Sequence, residues 1–392
     1  MFGATFKDLR VLDLSTNIAG PLAAMTLGDM GADVIKVERP PFGDDTRLLP
    51  PKADMTSTVF ASVNRNKRSV KLDYRHPASR RALEALIMDA DVLIDSFPPG
   101  VAEKIELTHE CVCRLNPSIV HCSVSAFGSG PVGSDLPGYD ALVQAVSGLM
   151  SFTGEEGGPS VRIAPSVLDI STGMWATIGI MAALQRRSAT GSGDHVQTAL
   201  IDSAFLLMCH QVVGFFATGE EPARLGSGAP SAVPYRVYAA SDGEFMLATA
   251  SDRQFHRLCD VLDHADWASD PRFSDMVSRI QHRRDLDALL EPLFSGRAVA
   301  EWVELLGQAG ISVGCVNSVS EATELPVVAE RNLFQELALP GSSQLLRLIR
   351  NPVDVELTAP ALRPPALGAH TVEVLEQLGL DRSDIEAILA LD

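Results

Sequence analysis

The sequence has no pair of cysteines at a spacing that would bind metal or exchange disulfides. Its six, Cys111, Cys113, Cys122, Cys209, Cys259 and Cys315, include no CxxC. In a chain of 392 residues this excludes a disulfide framework, and a zinc site of that kind lacks its paired ligands. The thiols read as small buried hydrophobes, and no metal is expected. Long apolar runs are also missing. The most apolar stretch, Met174 to Leu184, is too short to span a bilayer and reads as a buried helix. No signal-peptide anatomy precedes the first strand-like pattern, so a cytoplasmic enzyme with no membrane association is expected. No GxxxxGK followed by Ser or Thr, no HExxH and no GxSxG occurs, which removes the P-loop, zincin and serine-hydrolase readings. Positive charge is scarce: 32 Lys and Arg against 50 Asp and Glu leave a net charge of −18, which argues against nucleic acid and anionic membrane surfaces.

The charge that is present is unevenly spread. Residues 1–81 hold thirteen Lys and Arg against nine Asp and Glu, in a chain that is acidic elsewhere. Such a segment either serves an anionic, phosphate-bearing ligand or forms a solvated basic face. The length points to two domains, or to one domain carrying an insertion. Short apolar runs at Leu9–Leu14, Asp33–Val37, Val92–Ile94 and Ile119–Val124 read as buried strands. Helical patterns intervene at Pro21–Met30 and Pro77–Met88. Strands alternating with helices imply parallel pairing with both sheet faces covered, an α/β Rossmann-like doubly wound sheet. Two long helices follow, over about Asp169–Gln185 and Ala199–Phe216, joined by the turn and short strand of TGSGDHVQ. Near Glu220 the texture changes: EEPARLGSGAPSAVP is linker-like, and YRVYAASDGEFMLATA reads as a hairpin turning at Asp242-Gly243. Amphipathic helices then run to about Gln308, making residues 230–315 a smaller α+β domain.

Gly128, Gly130 and Gly133 spell GxGxxG after a strand, yet Pro131 and Pro137 surround them and no apolar helix opens there, so a dinucleotide loop is rejected. Asp169 precedes a Ser-Thr-Gly-Met turn at the start of a long helix. It reads either as an N-cap or as a reacting carboxylate, since a helix N-terminus favours negative charge and a carboxylate can attack an acyl group. Asp140, in LPGYDALVQ, is a second cap candidate. Arg39 follows a strand where α/β sheets bind ligands, and it reads equally as the ion-pair partner of Glu38 or Asp45.

Nine segments in order carry a resemblance: LRVLDLSTNIAGPLA, LGDMGADVIKVERP, GDDTR, NRNKRSVKLD, DSFPPGVAEKIEL, LPGYDALVQAVSGLM, LDISTGMWATIGIMAALQRR, TGSGDHVQTALID and PPALGAHTVEVLEQLGL. With these the chain resembles the family III coenzyme A transferases, a group that includes formyl-CoA and carnitinyl-CoA transferases and the related alpha-methylacyl-CoA racemases. The resemblance implies a large Rossmann-like domain built from residues 1–220 and 325–392, a small domain over 230–315, and an interlocked homodimer. It implies that Asp169 is the nucleophile and that Asp140 belongs to the coenzyme site. That site takes in Ile18, Ala19, Arg39, the run Leu72 to Arg75, Ser96, Phe97, Lys104 and Tyr139. Arg39, Arg75 and Lys104 suit phosphates and Phe97 suits the adenine. The partners are an acyl-CoA thioester, which is a substrate rather than a prosthetic group, and a free carboxylic acid.

Three departures sharpen the reading. The racemases carry a histidine base where Tyr139 stands, and a phenol with an ordinary pKa of about 10 is a poor base at neutral pH. The glycine run of formyl-CoA transferases shrinks here to Gly226-Ser227-Gly228, which argues against oxalate as acceptor. Ser96 stands for the more usual asparagine. The expected activity is transfer of CoA between an acyl-CoA and a carboxylic acid. Epimerisation of an alpha-methylacyl-CoA and non-catalytic binding of a CoA ester are the alternatives.

Overall fold

A computed structural model describes residues 5–339, 344–353 and 361–391. The chain divides into two compact units, one of residues 1–149, 162–219 and 332–392, the other of 150–161 and 220–331.

The first unit is organised by six strands: β1 (Arg10–Asp13), β2 (Asp33–Glu38), β3 (Lys67–Lys71), β4 (Val92–Asp95), β5 (Val120–Ser125) and β6 (Asp194–Ala199). They pair in the order β3-β2-β1-β4-β5-β6, and every pairing is parallel. The chain therefore builds outward from β1 to β3, then returns to the other side of β1 for β4. Alternation along each strand sends successive side chains to opposite faces, and both faces are covered. Leu12, Ile35 and Leu93 join a core with Leu83 and Leu86 of α2 (Pro77–Asp89) and with Val374 and Ile385 from the C-terminal helices Thr371–Gln377 and Arg382–Leu389. On the opposite face α1 (Ala19–Asp29) comes so close that a Cβ at Gly28 would touch Val34, and one at Gly20 would lie against Ile94.

α3 (Asp140–Val146) and α4 (Val167–Thr190) complete the part of this unit that matters for function. α4 crosses α1 at Gly173, where a Cβ would sit 2.6 Å from the Ala19 carbonyl oxygen, so glycine permits the backbones to touch. Two expectations are corrected here. α4 has 24 residues, long and apolar enough by composition to cross a membrane, and much of it is open: Ile170, Met174, Trp175 and Ile178 are exposed. The helix expected over Ala199–Phe216 is two, α5 (Leu200–Leu207) and α6 (Cys209–Thr218), bent by 69° at Met208, where neither proline nor glycine announces the break.

In the second unit, β7 (Tyr235–Ala239), β8 (Glu244–Ala248) and β9 (Ser312–Cys315) form an antiparallel sheet in the order β9-β8-β7. The β7–β8 pair is the expected hairpin through Asp242-Gly243. Its core of Tyr238, Phe245, Phe255, Phe294 and Trp302 is separate and aromatic.

Candidate active site

Four of the segments singled out in the sequence lie directly after four neighbouring strands. Ile18 and Ala19 follow β1, Arg39 follows β2, Leu72 to Arg75 follow β3, and Ser96 and Phe97 follow β4. In a parallel sheet these positions share one edge, and the order reverses between β1 and β4, which is where α/β sheets open a crevice for ligands. The two loops at that reversal are joined: Thr16 N–H donates to Ser96 Oγ at 2.9 Å. Phe97 N–H is held by Asp95 Oδ1 at 3.2 Å, and its ring packs on the core. α1 starts here at Ala19 with Ile18 as its cap residue and no side chain capping it, so its first N–H groups point toward the edge unclaimed.

The candidate residues differ in what they can offer. Arg39 is exposed and, among the described residues, makes no ion pair; Glu38 is taken by Arg47 through two contacts of 2.6 and 2.7 Å. The pairing of Arg39 with Glu38 or Asp45 is therefore not what the structure shows. Arg75 is exposed but held by Asp73, with contacts of 2.9 and 2.7 Å. Lys104 is exposed at the end of a short helix, Val101–Lys104. The Leu72 side chain is fully buried in the core, and its N–H bonds the Glu38 carbonyl at 2.9 Å, so it can only shape the edge, not reach into it. Tyr139, the cap residue of α3, is 71 % exposed.

Many of the basic side chains of residues 1–81 pair with acids of the same segment. Lys36 and Lys67 are buried beside Asp13, Arg65 pairs with Asp29, and Arg68 pairs with Asp33. Because those acids lie in the same segment, the pairing shows where the charges sit and leaves the excess itself in place.

Asp169 lies in the first turn of α4, but it is not the cap. The helix opens two residues earlier at Val167, with Ser166 in the cap position and no cap bond from its side chain. Asp140 does that work from a distance: its Oδ2 accepts from Leu168 N–H at 2.8 Å and from Asp169 N–H at 3.4 Å. Asp140 is itself held by Gln144, whose Nε2 donates to Oδ1 at 2.6 Å while its Oε1 accepts from Ile163 N–H at 2.9 Å. Gln144 was not singled out in the sequence. Its spacing of four from Asp140 on one helix was the available signal.

The Asp169 carboxyl is mostly buried and, among the described residues, no cation or hydrogen-bond donor pairs with it. Burial, with the Asp140 carboxylate adding repulsion, pushes its pKa up to about 7. Asp169 precedes Gly173 by four residues and shares its helix face, one turn from the contact with Ala19. The arrangement sets a bare, basic carboxylate next to the uncapped start of α1, at the edge where the candidate phosphate and adenine contacts gather. Such a group can attack an electrophilic carbonyl.

Comparison with known proteins identifies the family. The family described as CoA-transferase family III matches residues 6–371. An acetyl-CoA:oxalate CoA-transferase of Acetobacter aceti is 36% identical, with 86% of this chain and 88% of the relative covered. A succinyl-CoA:glutarate CoA-transferase of Mus musculus is 33% identical over 98% of this chain and 88% of its own. The crystal structure of a CAIB/BAIF family protein from Brucella suis superposes with a TM-score of 0.82 at 32% identity, covering 94% of this chain and 98% of that one.

Proposed function

Since the chain belongs to CoA-transferase family III and is a CoA-transferase acting on acyl-CoA and carboxylic acid substrates, we propose that Asp169 is its covalent nucleophile. The single observation that carries the proposal is the uncompensated Asp169 carboxyl, raised to about 7 beside the start of α1. A carboxylate of that basicity is a stronger nucleophile than an ordinary aspartate, and the adjacent helix N-terminus favours the oxyanion formed on attack.

The exchange then runs in four steps. Ionised Asp169 attacks the donor carbonyl, the C–S bond breaks, and CoA thiolate leaves behind a mixed anhydride. The thiolate attacks the aspartyl carbonyl, which frees the donor acid and leaves an aspartyl-CoA thioester. The acceptor carboxylate displaces CoA from that thioester, forming a second anhydride. Finally the thiolate attacks the acceptor carbonyl, giving the product thioester and restoring Asp169. No prosthetic group takes part.

The large unit, in this reading, is a Rossmann-like domain whose strand edge holds the coenzyme. Ile18, Ala19 and Ser96 line the reversal, Arg39, Arg75 and Lys104 meet phosphates, Phe97 packs the adenine, and Tyr139 and Asp140 close the reacting end. The relatives named for oxalate and glutarate both use dicarboxylic acids, so the acceptor proposed is a dicarboxylic acid. We also propose a cytoplasmic homodimer. The exposed apolar face of α4, with Phe205, Leu206, Val213 and Phe216 exposed on α5 and α6, is what a second copy would cover. Tyr139 in place of a histidine base favours transfer over epimerisation.

The test incubates the enzyme with acetyl-CoA or succinyl-CoA and a panel of oxalate, succinate and glutarate, and separates the CoA esters by chromatography. Transfer to a panel member is expected. Deuterium uptake at the alpha carbon of an alpha-methylacyl-CoA in heavy water, with no transfer to any acid, would contradict it.

A further inference from the structure

Away from Asp169, three histidines meet that are far apart in the sequence. His121 on β5 and His195 on β6 are register partners on neighbouring strands, and His109 comes from the helix His109–Leu115. One ring nitrogen from each lies within 4.8 Å of the other two. The Nδ1 atoms of His109 and His121 are 3.3 Å apart, about the edge of a tetrahedron whose metal–nitrogen bonds are about 2.0–2.1 Å.

The surrounding hydrogen bonds set the rings up as ligands. A carboxylate only accepts, so buried His121 donates from Nε2 to Asp95 Oδ2 at 2.7 Å and leaves Nδ1 bare. Ser123 Oγ donates its proton to the same oxygen at 3.0 Å, and so accepts from His195 Nε2 at 3.0 Å. His195 Nδ1 is then bare as well. A carboxylate behind a histidine is the usual outer support of a metal-bound imidazole. His109 stacks on His195 with ring centres 4.1 Å apart.

We propose that His109, His121 and His195 form a binding site for one divalent transition-metal ion, zinc first among them. Three imidazoles on a borderline-soft ion leave a fourth position for water. Cys113 Sγ lies 3.4 Å from His109 Nε2 and 3.6 Å from its Nδ1. An imidazole binds a metal in its ring plane, so His109 must turn out of its stack on His195, whose ring lies 6° from parallel, to join the other two on the ion. The site's support, Asp95, also holds Phe97 N–H, so the ion would stiffen the loop after β4 without entering the reaction.

The experiment uses the untagged full chain stripped with a chelator and titrated with zinc chloride by calorimetry. One zinc per chain and a rise in melting temperature are expected. His109→Gln and His195→Gln should each weaken binding at least tenfold while keeping the metal-free melting temperature. Cobalt(II) bound to the wild-type chain should show the visible bands of a tetrahedral site, which does not depend on any variant folding. No stoichiometric zinc, a cobalt spectrum like the aqueous ion, or unchanged affinity in either variant would each overturn the proposal.

Discussion

Asp13 and Asp169 are both aspartates withdrawn from water in the same unit, and the protein treats them in opposite ways. Asp13 ends β1 fully buried, with Lys67 Nζ at 2.8 Å and Lys36 Nζ at 3.5 Å. Burial pushes its carboxyl up, but the two lysines outweigh burial and bring its pKa to about 2. Lys67 spends its remaining hydrogen bonds on the Pro21 carbonyl and Asn64, and burial draws it down to about 8 against the pull of Asp13. Lys36 also donates to the Ser15 carbonyl at 2.8 Å, which fixes the loop leading into α1. Asp169 has burial and a second carboxylate against it and, among the described residues, no cation beside it, so it moves the other way, to about 7. Compensated charge organises the backbone of the edge. Uncompensated charge sits at the carboxylate proposed as the nucleophile.

The comparison breaks most visibly at Asp169. Asp169→Asn should lower the transfer rate at least about 1,000-fold in steady-state assays while the variant stays folded. If the rate falls by less than tenfold, the nucleophile is elsewhere. Lys67→Met should instead cost stability, about 3–5 kcal/mol in urea unfolding, because it strips one cation from a buried carboxylate. A cost below about 1 kcal/mol would show that the cluster is not dry. The pH dependence of stability separates the two aspartates by sign. For Asp169 the folded pKa is raised, so stability is full below about pH 4 and is lost as pH rises through about 7. Asp169→Asn should therefore gain on wild type across that window, by on the order of 3 kcal/mol at its upper end. For Asp13 the folded pKa is depressed, so its contribution is present above about pH 4 and is lost as pH falls through about 2. The smallest effect is expected at Asp140. Asp140→Asn keeps an oxygen for the Leu168 N–H but removes the repulsion on Asp169. The acid limb of the rate profile should then move down by up to about one pH unit. A shift upward would contradict the electrostatic reading.

Most of the sheet, though not the charged strand β3 (KRSVK), was legible in the sequence for a simple reason. Strands buried on both faces must be continuously apolar, and LRVLDL, DVIKV and the runs at 92 and 119 stand out. Lys36, a charge within one of those runs, has interior partners in Asp13 and Asp44 that nothing nearby in the sequence named. Asp169 was legible as an acid at a helix start, but the choice between cap and reactant turned on where the helix began and on Asp140, 29 residues earlier. Long-range pairing of that kind leaves no local signature. The break at Met208 lacks glycine and proline, so propensity could not report it. His109, His121 and His195 share no ligand spacing; strand register joins the last two, and His109 arrives from a separate helix.

The central claim is covalent participation of Asp169. The direct measurement mixes the enzyme with a panel of acyl-CoA thioesters, quenches rapidly, and reads the peptide carrying Asp169 by mass spectrometry. We predict an acyl or CoA adduct on Asp169 that is absent from Asp169→Asn. Catalytic turnover with that peptide unmodified at every quench time, or an adduct that persists in the variant, would contradict the account.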